Sequence, residues 1–227
     1  MAQTWAKLLF AHWPISHEAL RPLIPAGFEI DAFEGQSWLG VVPFAMRHVA
    51  PRYCPTVPYL SDFLELNVRI YVVKDGIAGV YFFSLDCSNP IAVYIARKAF
   101  HLPYFNAQMS LVEKSGEIRY ESKRRDSGAQ FCATYRPSGP VFEAPRGSLE
   151  RFLTERYCLY TSDPKGNLYR GTIHHLVWPL QRAEAEIEVN TMVQAELGLR
   201  LPDSKPHLLY SESIDTIEWA LAPLSPR

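Results

Sequence analysis

Polar and apolar side chains alternate along the segment Leu64 to Val73, and the polar ones could do chemistry. Glu65, Asn67, Arg69 and Tyr71 occupy odd positions, while leucine, valine or isoleucine occupies each even position from 64 to 72. Successive side chains of a strand point to opposite faces, so one face would carry a carboxylate, an amide, a guanidinium and a phenol. In a pocket, Arg69 and Asn67 would bind a ligand carboxylate, and Glu65 would exchange protons with the ligand.

The alternative for this segment is a strand at the protein surface. Antiparallel sheets commonly bury one face and expose the other, and the exposed face then carries polar residues. The two interpretations differ in whether the row from Glu65 to Tyr71 faces an enclosed pocket or bulk water. The alternation alone leaves both open.

A second group of candidates lies in the segment Ala96 to Phe105. Arg97 and His101 are four residues apart, so they share one face of a predicted helix. His101 titrates near neutrality and suits proton transfer, and Arg97 is a candidate ligand-binding residue. Tyr104 would donate a hydrogen bond to a developing oxyanion. The alternative for His101 is a helix-terminal residue that interacts with the helix dipole.

The remaining motifs give weaker indications of chemistry. Ser84 is a candidate ligand-binding residue, but no G-x-S-x-G sequence surrounds it. Ser84 and Asp86 would more simply satisfy backbone groups at the end of a strand. His174 and His175 are adjacent and would face opposite sides of a strand, and neither histidine nor cysteine shows zinc-site spacing. No nucleotide-binding glycine motif occurs. We therefore expect no metal site and no cofactor.

The composition is typical of a globular protein with a sizeable core. Of 227 residues, 48% are apolar and 21% are charged, and the net charge of −1 gives no field that would attract nucleic acid or anionic lipid. No apolar run approaches the roughly 20 residues that span a bilayer. Four cysteines without C-x-x-C spacing favour free thiols. We expect a cytoplasmic protein with a small organic ligand and no nucleic acid or membrane partner. The composition does not decide whether the protein is a monomer or a homo-oligomer.

Prolines and glycines predict a mainly β fold. Eighteen prolines and twelve glycines separate many short segments, which favours strands over long helices. Two hairpins are predicted, with turns at Lys74 to Ile77 and at Lys114 to Glu117. The strand Ser37 to Val49 contains Pro43, which indicates an edge or bulged strand.

Helices are predicted in three places, each beginning near a capping residue. They are Ser16 to Leu23, Pro90 to Phe100 and Ser148 to Tyr157. The segment Ala183 to Leu197 is ambiguous, because its composition favours a helix while its first half alternates like a strand. The proline-rich segment Gly139 to Gly147 would be a linker in a two-domain chain, but the predicted strands on both sides look alike. We therefore expect a single domain over residues 1–227.

Seven short motifs are spread over nearly the whole chain. They are Phe10 to Pro14, Trp38 to Phe44, Glu65 to Arg69, Phe82 to Asp86, His101 to Tyr104, His175 to Leu180 and Pro206 to Ser211. With these motifs the chain resembles the YqjF-like family of uncharacterised conserved bacterial proteins. That family looks like a branch of the acetoacetate decarboxylase-like superfamily. The resemblance implies an antiparallel, cone-shaped β-barrel with a few flanking helices.

The resemblance also bears on mechanism. In the decarboxylase, a strand glutamate and a later Pro-Lys-Lys motif build the site, and the first lysine forms a Schiff base with the keto acid. Glu65 falls at the glutamate and Pro103 at the proline, but Tyr104 and Phe105 follow where the lysines would be. A Schiff base requires a primary amine, which a phenol cannot replace.

Three classes of function remain open on this basis. The first is lyase- or hydratase-type chemistry on a small carboxylate or carbonyl compound without a Schiff-base lysine. The second is a non-catalytic ligand-binding or sensing protein on the same fold. The third is a partner-binding module without a deep pocket. The first two require a pocket that receives the polar row of Glu65, Asn67 and Arg69.

Overall fold

The computed structural model describes residues 1–51 and 53–224, and it is mainly β, with 56% strand and 13% helix. The strands are β1 (Ala2–Ile15), β2 (Glu29–Ile30), β3 (Ser37–Ala50), β4 (Phe63–Lys74), β5 (Ile77–Cys87), β6 (Tyr104–Lys114), β7 (Glu117–Arg124), β8 (Gln130–Phe142), β9 (Cys158–Ser162), β10 (Leu168–His175), β11 (Leu180–Asn190), β12 (His207–Glu218) and β13 (Ala222–Pro223). The helices are α1 (His17–Leu20), continued by a 3₁₀ turn over Arg21–Leu23, α2 (Pro90–Phe100), α3 (Leu149–Thr154) and α4 (Met192–Leu197).

One large sheet contains the strands, in the order β13-β10-β9-β5-β6-β7-β8-β11-β12-β1-β3-β4-β2, with additional pairings of β4 with β5 and of β10 with β12. The predicted mainly β class is confirmed. The expectation of an antiparallel sheet is wrong for two pairings, because β6 and β9 each run parallel to β5. Between β5 and β6 the chain passes through α2, and such a crossover lets two successive strands run in the same direction.

Both predicted hairpin turns are present, and their backbone explains why glycine is needed. Asp75 and Gly76 have φ values of 52° and 74°, and Ser115 and Gly116 have φ values of 53° and 80°. Positive φ at both central residues is the type I′ geometry, which matches the twist of the flanking strands. The first of these turns fixes the register of β4 on β5.

Strand β3 lies inside the sheet, between β1 and β4, so the expectation of an edge strand is wrong, while that of a bulge is confirmed between Arg47 and Ala50, where β3 has an extra residue relative to β1. The register of β1 on β3 shifts between Ala6 and Ala11, and this irregular stretch lies beside Pro43. Because the ladder is interrupted there, the missing N–H of Pro43 is tolerated in an interior strand.

Side chains cap the three predicted helices as expected. Ser16, Asn89 and Ser148 each accept hydrogen bonds from backbone N–H groups in the first turn. The third helix ends at Thr154 and not at Tyr157. The ambiguous segment divides into β11 and the short helix α4. In the part of the chain that the structure describes, no helix is both long and apolar enough to cross a bilayer.

Strand β4 is buried on both of its faces. Leu66, Val68, Ile70 and Val72 are fully buried and belong to the largest of three hydrophobic clusters. The opposite face carries Phe63 and the polar row, and it borders the two smaller clusters. The core therefore holds β4 in one register, since a shift by one residue would exchange the two faces.

Candidate functional site

A cavity of about 370 Å³ lies where the two smaller hydrophobic clusters meet. Its volume falls in the range of sites that bind small molecules. Strands β1, β3, β4, β5, β9 and β10 and helix α2 contribute mostly apolar side chains to its lining. The polar and charged lining residues are Gln3, Ser61, Glu65, Asn67, Arg69, Tyr104, Thr154, Arg156, His175 and Glu218.

The polar row of β4 faces this cavity. Glu65, Asn67 and Arg69 line it directly. Tyr71 lies behind them, where its hydroxyl donates to the Leu153 carbonyl at 2.7 Å and lies 2.6 Å from Nε2 of His12. The strand alternation inferred from the sequence therefore places three candidate residues in one enclosed space.

Glu65 and Tyr104 form a buried pair in the cavity wall. The Tyr104 hydroxyl donates to Oε2 of Glu65 at 2.7 Å, and the Glu65 side chain is almost fully buried. Burial raises the pKa of Glu65 to about 8, against the opposing effect of the Tyr104 hydrogen bond. Burial, and then the neighbouring Glu65 charge, raise the pKa of Tyr104 well above its usual value. At neutral pH Glu65 is therefore an uncharged acid that can donate a proton.

Two structural features place Tyr104 opposite Glu65. Tyr104 is the first residue of β6, and it pairs with Leu85 of β5 directly after the α2 crossover. Nε of Arg97 donates to the Tyr104 backbone carbonyl at 2.6 Å. The end of α2 and the start of β6 therefore hold the tyrosine in position.

Arg69 makes no ion pair with any carboxylate of the described residues, although it lies partly buried in the cavity. Its Nη2 donates to the Leu153 carbonyl at 3.3 Å, and its guanidinium lies 5.4 Å from the ring centroid of Phe10. Its Nε is buried without a hydrogen-bond partner, as is Oδ1 of Asn67. Buried polar atoms are normally paired, and since both residues line the cavity, these two atoms are candidates for contacts with a ligand.

A second arginine in the cavity shows the usual arrangement. Arg156 donates from Nη1 to Asp31 at 2.6 Å and from Nε to the Phe152 carbonyl at 2.7 Å. Its charge is compensated by Asp31, whereas Arg69 has no ion-pair partner among the described residues. This pairing distinguishes a structural arginine from a candidate anion-binding one.

A neutral histidine lies behind Arg69. Burial, followed by the charges of Arg69 and His207, lowers the pKa of His12 well below its usual value. Gly40 pairs with Arg69 across the β3–β4 ladder, and a Cβ at this position would lie only 2.7 Å from Nε2 of His12. Gly40 thus provides the space in which the His12 ring and the Arg69 side chain meet.

Ser84, a predicted ligand-binding residue, does not line the cavity. The register of β5 on β4 shifts between the pairs Val68–Ser84 and Arg69–Phe82, so Phe83 is an extra residue there. This bulge exchanges the two faces of β5, and Leu85 faces the cavity in place of Ser84. The expectation for Asp86 is also wrong, because this carboxylate binds the guanidinium of Arg124 at 2.8 Å and not backbone groups.

Arg97 and His101 also lie outside the cavity lining. Helix α2 turns Ile91, Ile95 and other apolar residues to the cavity, so Arg97 lies on the other side of the helix. His101 follows the helix with a left-handed backbone (φ 48°), and its ring packs against Tyr169 with centroids 5.2 Å apart. The helix-terminal interpretation of His101 describes its position better than the catalytic one.

Thr154, Arg156 and Glu218 are among the polar residues of the cavity that could not be identified from the sequence. Thr154 and Arg156 come from the end of α3 and the turn after it, and Glu218 comes from the end of β12. They follow no periodic pattern, since each lies where a regular element ends. Only the three-dimensional contact between distant parts of the chain identifies them.

The mouth of the cavity lies between helix α2 and the loop that joins β3 to β4. Ile91 and Ile95 of α2 and Val57 and Leu60 of the loop line the cavity and are also partly exposed to solvent. Asn89 links the two sides. Its Oδ1 caps α2, and its Nδ2 donates to the Tyr59 carbonyl of the loop at 2.6 Å.

None of the chain's seven lysines lines the cavity. Lys98, the nearest in sequence to the expected motif, is exposed on α2. The described residues that line the cavity therefore offer no lysine for imine formation, and the α-amino group of Met1, which does line it, donates to the Glu218 carbonyl. Within the described residues, no three His, Cys, Asp or Glu side chains are grouped as metal ligands would be.

The fold resembles those of solved acetoacetate decarboxylase-like structures. Acetoacetate decarboxylase from Legionella pneumophila matches with a TM-score of 0.72 at 13% identity, covering 99% of this chain and 87% of the other. The enduracididine biosynthesis enzyme MppR, complexed with the condensation product of pyruvate and imidazole 4-carboxaldehyde, matches with a TM-score of 0.70 at 11% identity over 99% and 89% of the two chains. At such identities the likeness concerns the fold alone.

Sequence comparison gives the family. The model of the DUF2071 family, described as an uncharacterized conserved protein, matches residues 2–215. The chain is also 46% identical over 222 residues to the uncharacterized protein YqjF of Bacillus subtilis (strain 168), covering 97% of this chain and 91% of YqjF. The chain belongs to the DUF2071 family, as the resemblance in its motifs predicts.

The raised pKa of Glu65 gives a testable dependence of stability on pH. The unfolded chain loses this proton near pH 4.5 and the folded protein near pH 8, so the free energy of unfolding falls as the pH rises through this window. Glu65→Gln should remove this loss, which we expect to be on the order of a few kcal/mol. Urea unfolding from about pH 5 to about pH 8 measures it. Identical slopes in the variant and the wild type would contradict the assignment, and the exposed Glu186→Gln serves as the control.

The composition of the cavity gives a second prediction. Incubation with acetoacetate and sodium borohydride should leave all seven lysines without a covalent adduct, because none of them lines the cavity. Mass spectrometry of the digested protein checks each lysine. An adduct on any lysine that depends on both reagents would show that imine chemistry is available.

Proposed function

We propose that the cavity binds a small carboxylate- or carbonyl-bearing molecule and transfers protons to and from it without an imine. The observation that carries this proposal is the arginine in the cavity without a protein counterion, beside a neutral carboxyl group. Arg69 supplies the charge, and Glu65 and Tyr104 supply the exchangeable protons.

Binding begins at Arg69. A ligand carboxylate beside this guanidinium would give Arg69 the counterion that the described residues do not provide. Nε of Arg69, which is buried without a partner, would gain a hydrogen bond to the ligand. Asn67 lies one strand repeat closer to Glu65 on the same face and would contact a second polar group of the ligand.

Proton transfer belongs to Glu65. Its pKa of about 8 lies close to neutral pH, which is where a general acid or base is most effective. The neutral acid would protonate the reacting atom of the ligand, and the resulting carboxylate would take a proton back in the next step. The Tyr104 hydroxyl would stabilise the developing oxyanion and then the Glu65 carboxylate by hydrogen bonding. These roles fit reactions of the lyase or hydratase type.

The competing role is binding or sensing without turnover. It is favoured by the mostly apolar lining and by the position of His101 and Ser84 outside the cavity. Both roles use Arg69 as the anchor. They differ only in whether the Glu65–Tyr104 pair meets a reactive atom of the ligand.

We also propose that the sheet closes as the cone-shaped barrel that the motifs imply. Strands β4 and β5 are far apart in the strand order, yet they also pair with each other, which joins two distant parts of the sheet. The pairing of β10 with β12 does the same elsewhere in the sheet. Closure would explain why β4, the second-last strand of the order, is buried on both faces.

Arg69→Ala tests the anchor. We expect the affinity for butanoate and acetoacetate, measured by calorimetry at neutral pH, to fall about tenfold or more, because a charge-assisted hydrogen-bond pair is lost. The exposed Arg136→Ala should leave the affinity unchanged. Equal affinities of the wild type and Arg69→Ala would remove the basis of the proposal.

Glu65→Gln separates catalysis from binding. The amide keeps the shape of the side chain but cannot transfer protons. In a screen of small carboxylates and carbonyl compounds followed by NMR, the variant should lose turnover by about 10²- to 10⁴-fold while still binding. Turnover that persists in Glu65→Gln argues against the proton-transfer role, and a wild type that binds but converts nothing supports the sensing role.

A further inference from the structure

We infer that the ligand is an aliphatic carboxylate whose alkyl chain runs from the Arg69 end of the cavity to the mouth between α2 and the β3–β4 loop. This inference rests on the proposed function, because it takes Arg69 as the anchor of the carboxylate. It adds the part of the ligand that Glu65 and Arg69 do not contact.

The register of β4 gives the direction in which the ligand's alkyl chain would run. Phe63 pairs with Met46 near the mouth, and Arg69 pairs with Gly40 at the far end of the cavity. Six residues separate Phe63 from Arg69, which corresponds to about 20 Å along a strand. The lining therefore extends along β4, with the guanidinium of Arg69 near one end and the opening at the other.

The lining between these ends suits a hydrocarbon chain. Val42, Phe44 and Phe63 cover one side, and the apolar face of α2 covers another. Arg97 and Lys98, the charged residues at the end of α2, do not line the cavity. A ligand that consisted only of a small polar head would leave most of this apolar surface without a partner.

The mouth itself exposes aliphatic side chains. Ile91 and Ile95 are each 51% exposed, Val57 is 47% exposed and Leu60 is 37% exposed, and all four also line the cavity. Contiguous exposed apolar groups usually mark a binding surface. Because this rim is continuous with the cavity wall, the occupant that contacts both is a chain that leaves the cavity through the mouth.

A homologous series of ligands tests the inference. Straight-chain carboxylates from butanoate to hexadecanoate are titrated at neutral pH, with calorimetry as the readout and the fluorescence of the lining residues Trp5 and Trp178 as a second measure. Affinity should rise about threefold to fourfold for each buried methylene group and level off once the chain reaches solvent. The matching alcohols should bind at least about tenfold more weakly, because they lack the charge that Arg69 recognises.

A substitution on α2 and a matched control test where the ligand's alkyl chain lies. Ile95→Ser should flatten the increase for the longer carboxylates and leave butanoate unaffected. Tyr94→Ser is the matched control, since Tyr94 is 65% exposed on the same helix and does not line the cavity. Both positions are exposed, so neither substitution threatens the fold.

The outcomes separate this inference from the proposed function. If butanoate binding requires Arg69 but affinity does not rise along the series, the inference of an alkyl chain is wrong and the proposed function still stands. Failure of every carboxylate to bind overturns both. If light scattering shows a dimer that Ile95→Ser dissociates, while the increase along the series persists in that variant, the rim is an interface between two copies of the chain and the alkyl route is wrong.

Discussion

The burial of β4 on both faces is the constraint on which the site depends. The sequence of a strand that is buried on both faces is usually a continuous apolar run. Strand β4 differs, because Leu66, Val68 and Ile70 lie in the main core. Its other face places Glu65 and Arg69 in a cavity. The apolar side holds the register, because a slip by one residue would bring a carboxylate and a guanidinium into the core. The polar face can therefore keep buried polar side chains that contribute little to stability, because the apolar face stabilises the strand.

The sequence predicts the parts of this arrangement that follow from local periodicity. Alternation alone identifies Glu65, Asn67 and Arg69, and the turn residues identify the hairpin that aligns β4 with β5. Ser84 could not be placed in the same way, because a single extra residue at Phe83 reverses the faces of β5 and no residue type announces it. The first strand, β1, was not predicted either. Its residues 8–11 are buried on both sides, so the alternation that reveals an exposed strand is missing.

The electrostatics of the cavity lining support the proposal that its ligand is an anion. With Glu65 uncharged at neutral pH and Arg156 paired with Asp31, the lining retains the charge of Arg69 without a protein counterion. The neutral state of His12 has the same effect, since a protonated imidazole next to Arg69 would add repulsion within the wall. Under the proposed function, an anion beside Arg69 would gain more there than at the protein surface, because low-polarity surroundings strengthen electrostatic attraction.

The amide of Asn89 joins two functions in one side chain. Its oxygen starts α2, while its nitrogen ties the helix to the Tyr59 carbonyl of the opposite loop. An aspartate at this position would begin the helix equally well, but its ionised carboxylate has no N–H group to donate the second hydrogen bond. The same side chain therefore fixes both the start of α2 and the distance between α2 and the β3–β4 loop on the two sides of the cavity mouth.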